Sequence, residues 1–119
     1  MIWVGVAALS GVGAIARHSV MAGLESRFDR RVPWGTALVN VVGALLLGML
    51  VGSEPSTSAG RLLGAGFLGS FTTFSTWMVE GVFIAGTGTR SQLVRAGSWV
   101  LGLVAIGIAA FGLGQSLTR

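Results

Sequence analysis

Four apolar runs separated by only three short polar breaks constrain this chain more than any motif within it. The runs cover 2–23, 33–52, 61–86 and 93–117, and the breaks 26–31, 53–60 and 87–92. A helix of about 20 residues crosses roughly 30 Å of hydrocarbon, so each run is long enough to span a bilayer. None of the breaks is long enough to be a domain. The spacing predicts an all-α integral membrane protein: one four-helix transmembrane domain over 1–119, with both termini on the same side. A mean hydropathy of +0.80 and 10% charged residues agree, since an ordinary soluble domain carries far more charge. Pro33 fits the first turn of the second helix, and Trp3 and Trp34 fit the interfacial belt.

Charge and cysteine content narrow the class further. The net charge of +4 comes from arginine alone, and most of the arginines sit between the apolar runs. They read as membrane flanks in contact with a lipid bilayer, and no nucleic-acid partner is expected. There is no cysteine, which removes disulfides and thiolate metal sites. The first run lacks a basic leader and is long enough to remain in the membrane, so it is not read as a cleaved signal.

The third run holds the unusual chemistry. It contains the stretch Gly69 to Trp77, GSFTTFSTW, in which Ser70, Thr72, Thr73, Ser75 and Thr76 alternate with Phe71, Phe74 and Trp77. Gly64, Gly66 and Gly69 weaken helix formation there, and the hydroxyls offer competing local bonds. Two readings follow. Either the helix is unbroken and its hydroxyls bond back to i−4 carbonyls, or it breaks near its middle. A break frees carbonyls, such as those of Gly69 and Thr72, that can ligate a buried monovalent cation.

Other polar residues fall within or beside the spans. Asn40, one turn after Thr36, brings an amide into the second run; it is either interhelical glue or a neutral donor to an anion. Phe74 and Trp77 share a helix face, as packing residues or as electropositive ring edges facing an anion. Arg17 either snorkels to the interface or forms a positive funnel at a pore mouth. His18 beside it has no second histidine with which to hold a metal. Glu80 is either a proton carrier or a partner for an arginine. Glycines at 48 and 52, at 60 and 64, and at 102, 107 and 112 predict close helix packing. Four spans enclose little room for water, which predicts an oligomer. No Walker loop, carboxylate pair or hydrolytic triad is present, so no enzyme is expected. The middle of every span lacks an ionisable residue, which favours a passive anion pathway over proton-coupled transport.

Three segments in order resemble the Fluc (CrcB) family of bacterial fluoride channels. GVGAIARH is similar to the family's first-span GGxGAxxR pattern, PWGTALVNVVG to PxGTLxVNxxG, and GFLGSFTTFSTWMVE to GxxGGxTTFSTFxxE. The resemblance implies a passive fluoride channel in the bacterial inner membrane, built as an antiparallel dual-topology homodimer with a structural sodium ion at its centre. Carried over, Asn40 is the pore amide and Phe74 the first fluoride-contacting aromatic, with Trp77 at the position of the second. Ser75, Thr76 and Ser98 become polar-track hydroxyls, and Thr36 and Glu80 further pore-associated positions. Arg17 becomes the vestibule cation, and the carbonyls of Gly69 and Thr72 become the sodium ligands. Two departures stand out: Trp77 replaces the family's second phenylalanine, and Val94 and Gly102 stand where further hydroxyls are expected. They leave open a pore-degraded subunit paired with a homologue as a heterodimer.

The alternative from another class is a small multidrug-type proton antiporter, which needs an acid in its first span; residues 2–23 contain none. Orientation is also biased. Arg27, Arg30, Arg31, Arg90 and Arg95 flank one side, and Arg61 and Arg119 the other. The positive-inside rule then puts both termini outside, whereas a strict dual-topology homodimer should be nearly balanced.

Overall fold

The computed structural model of the chain describes residues 1–27, 34–72 and 75–119, with the backbone alone at Glu25, Ser75 and Thr76. Every regular element among them is helical. Three helices are long and apolar enough to cross a membrane: α1 (Ile2–Glu25), α2 (Trp34–Gly52) and α6 (Arg90–Thr118). At 1.5 Å per residue α2 is about 28 Å long and α6 about 43 Å, so α6 reaches past the hydrocarbon region. Pro33 and its expected place in the first turn lie outside the described residues.

The third apolar run is assembled differently. It starts at α3 (Thr57–Ala59), continues without interruption through a π-helical stretch (Gly60–Leu68) into α4 (Gly69–Phe71), and resumes as α5 (Ser75–Ala85). The first half-helix, 57–71, is thus followed by a half-helix too short to cross hydrocarbon alone. At Thr72 the backbone turns extended, with φ −82° and ψ 161°. The local cause lies in the hydroxyls. Ser70 Oγ donates to the carbonyls of Gly66 and Phe67, and Thr72 Oγ1 to that of Leu68. Such back-bonding weakens the regular ladder, and the glycines before it supply little propensity to resist. The back-bonding expected of an unbroken helix is therefore present, yet the helix ends where it is densest. The π-helical stretch is the other expression of weak propensity, with Gly69 N–H donating to the carbonyl of Gly64, one residue further back than in an α-helix.

Helix packing is governed by glycine at a few contacts. α1 lies along the first half-helix, α2 along α6, and α5 along α6. A side chain at Gly48 would strike the carbonyl of Phe111, one at Gly52 the carbonyl of Gln115, and one at Gly114 the carbonyl of Leu45. α2 and α6 therefore meet backbone to backbone, and Thr118 Oγ1 locks their ends by donating to the Met49 carbonyl at 2.8 Å. Gly60 and Gly64 make only ordinary contacts, and Gly102, Gly107 and Gly112 meet nothing within 4 Å of a built Cβ. Of the expected glycine sets only Gly48 and Gly52 make a close approach, with Gly114 as an unexpected counterpart on α6.

The connections follow turn chemistry. Gly86 and Gly88 adopt positive φ of 55° and 84°, and Thr89 with Gln92 forms a capping box at the start of α6. Between α2 and α3 the left-handed position is filled by Glu54, at φ 51°.

Candidate functional site

The break at Thr72 opens onto a cavity of about 470 Å³ between α2, the first half-helix, α5 and α6. Its walls are mainly apolar, from Leu47, Leu68, Leu103, Ile108 and Phe111. The polar features are few and come from the segments singled out in the sequence: Asn40 from α2, Gly69 and Thr72 at the break, and Trp77 from α5. An apolar cavity with a few placed polar groups is the usual form of a small-ligand or ion site. Asn40 is half-buried, and Gly43, three residues on and on the same face, faces the break. A Cβ at Gly43 would strike the Thr72 methyl group, so glycine there lets α2 press against the extended residue.

A second polar contact joins α2 to α5. Thr36 is almost fully buried, at 1% exposure, and its Oγ1 donates to Glu80 Oε1 at 2.7 Å. This short charge-type bond ties the start of α2 to the half-helix beyond the break. Glu80 therefore has a buried hydroxyl partner on α2.

Arg17 is placed on the opposite side of the break. Its Nη1 donates to the Ser70 carbonyl at 3.0 Å and reaches the Thr72 carbonyl at 3.5 Å. The guanidinium is turned inward and half-buried, unlike a side chain snorkelling to the interface. His18, next to it, is exposed. Gly13, one turn before Arg17, allows this approach, because a side chain there would strike Ser70 Oγ and the Phe67 carbonyl. Ser10 Oγ, a further turn back, donates to the Gly66 carbonyl at 3.2 Å.

The remaining expected positions divide. Phe74 lies outside the described residues, and Ser75 and Thr76 fall in the first turn of α5 with their side chains undescribed. Ser98 is exposed on α6 and does not line the cavity; Val94 is 60% exposed. Sequence reasoning passed over Gly43, Gly107 and Phe111 as cavity residues and Ser70 as the acceptor for Arg17. Gly43 was within reach, since it follows Asn40 at helical spacing; the others depend on how separate helices meet.

Any cation at the break would be held by backbone. Among the described residues no three His, Asp or Glu side chains gather, whereas Gly69 and Thr72 line one cavity wall and carry neutral, hard carbonyl oxygens. Such oxygens suit a monovalent cation of low charge density.

An apolar chain of long helices, with a helix break beside a cavity, defines a helical membrane protein. The chain belongs to the family described as CrcB-like protein, Camphor Resistance (CrcB), whose profile matches residues 4–115. It is similar to the fluoride-specific ion channel FluC 2 of Mycobacterium tuberculosis (strain ATCC 25618 / H37Rv), with 41% identity over 118 residues, 99% of this chain and 91% of that one. Symbiobacterium thermophilum has two relatives. Its fluoride-specific ion channel FluC 1 is 44% identical over 88 residues, 67% of this chain and 69% of that one. Its FluC 2 is 40% identical over 126 residues, 95% and 94%. The chain is a multi-pass bacterial membrane protein.

Proposed function

We propose that this chain, like the relatives named fluoride-specific ion channels, is a fluoride-selective channel, and that it works passively and lets fluoride leave the cell down its gradient. The observation that carries the reading is the convergence of Asn40, Thr72 and Trp77 on one cavity with otherwise apolar walls. An amide offers N–H donors to a small, strongly hydrated anion without a fixed positive charge to trap it. The indole supplies an electropositive edge and an N–H. Phe74, Ser75 and Thr76 continue the pathway in this reading, and the Thr36–Glu80 pair fixes the half-helix that carries them. Ser98 belongs to the pathway only through its place in the family pattern.

The third run crosses the membrane as a broken span, which gives four crossings. Two chains in opposite orientation form the channel, and the exposed apolar faces of α1 and α6 are shared between lipid and partner. A two-fold axis through the break brings together the Gly69 and Thr72 carbonyls of both chains. They hold a structural sodium ion that neutralises the helix C-termini and supplies no further chemistry. The occurrence of two numbered relatives in one organism, together with the arginine bias, favours pairing with a homologue as the second reading.

Fluoride efflux from liposomes holding the purified chain tests the function. Flux without a proton gradient and with little chloride movement is expected, and Asn40→Ala should reduce it without dispersing the oligomer. Strict proton coupling, or equal chloride and fluoride rates, would remove the channel reading.

A further inference from the structure

The first half-helix ends where a cation is favoured for two independent reasons. Residues 57–71 point the carbonyl end of their dipole at the break, and the helix ends at the extended Thr72, where the carbonyls of Ser70 and Thr72 accept from a side chain of another helix. One cation is already there. The Arg17 guanidinium lies 3.0 Å from the Ser70 carbonyl and 3.5 Å from that of Thr72. It approaches from the α1 side, whereas Gly69 and Thr72 face the cavity. Thr72, whose carbonyl Arg17 reaches, is thus also a residue of the cavity wall. Gly13 makes the arrangement specific to this helix pair, since any side chain there would push α1 off Ser70 and withdraw the guanidinium.

We infer that Arg17 is a positioning residue whose own charge caps the broken half-helix, and that it competes with a monovalent cation for the carbonyls at the break. The inference rests on the proposed sodium site. A guanidinium and a metal ion drawn to one set of acceptors repel each other, more strongly in a low-dielectric interior than in water. Arg17 therefore weakens the cation site while making the break less dependent on it. The side chain is pinned by backbone acceptors, so its placement follows the break and is not set by the membrane surface.

The test is thermal melting of the purified full chain, followed by tryptophan fluorescence in fluoride-free medium, with sodium compared against choline. Parent, Arg17→Gln and Arg17→Lys are measured. In choline Arg17→Gln should melt roughly 4 °C or more below the parent. Sodium should restore most of that loss, so that its stabilising shift is about twofold the parent's or greater. Arg17→Lys keeps a cation with fewer donors and shorter reach, and its sodium response should fall between the two. Should Arg17→Gln not fold, Arg17→Lys carries the test, and a sodium response equal to the parent's overturns the inference. Equal responses in parent and Arg17→Gln also overturn it while leaving the sodium site intact. No response in any of the three removes the sodium site and the competition together, and leaves the liposome assay to judge the channel.

Discussion

Thr36 and Glu80 are 44 positions apart, yet their 2.7 Å bond decides how the half-helix beyond the break is held. Removing the donor takes a buried hydrogen bond from the Glu80 carboxyl group, and such a bond is worth about 0.5–1.5 kcal/mol. Thr36→Val should lower stability by that amount in a denaturation series, and Thr36→Ser should recover most of it; equal stability of all three would mean the bond is replaced without loss. Phe71 differs in kind. It is 7% exposed and stacks on Phe67 with ring centroids 5.8 Å apart, so Phe71→Ala should lose about 3–5 kcal/mol of stability. Unchanged melting of Phe71→Ala would show that the ring is not core. Both residues stood out in the sequence for their type. Their pairings did not, because a helical period gives the face of a residue and not the helix that face meets.

At the scale of elements, α2 and α6 test whether glycine spacing is itself a packing signal. Gly48→Ala and Gly114→Ala drive a methyl group into a facing carbonyl and should each destabilise by about 1–3 kcal/mol. Gly112→Ala, two residues from Gly114, meets nothing in the chain and should stay within about 0.5 kcal/mol. Melting temperatures of the purified variants decide this; a large loss at Gly112 would mean that the outer face of α6 is buried against another chain. Three of the apolar runs were legible in the sequence as long helices to within a few residues, because apolar length is a property of each run alone. The weak point of the third run was legible too, since glycines and hydroxyls act on their own backbone. The π-helical stretch was not, nor was the choice of Gly48, Gly52 and Gly114 over five other glycines of similar spacing. Those depend on contacts between runs. Asn40 and Thr72 drew attention by their types, whereas the cavity residues Gly107 and Phe111 became visible only once α6 lay against α2.

The whole molecule poses the question of orientation. Because the chain has no cysteine, single cysteines at Ser56 and Thr89, both exposed in connections on opposite ends, can be labelled on intact cells without background. Labelling at both positions is expected for dual insertion; labelling at Ser56 alone would fix one orientation and require a paired homologue for an antiparallel assembly. The break also bears on how the chain enters the membrane. A segment whose middle is extended, with α5 only 11 residues long, cannot partition into lipid as a finished helix, because its exposed carbonyls would have no partner there. The first helix already carries what this segment lacks, the arginine that reaches its open end. The third run is therefore expected to pack on α1 as it enters the bilayer, so that a helix made before it serves as a template for the one that cannot enter alone.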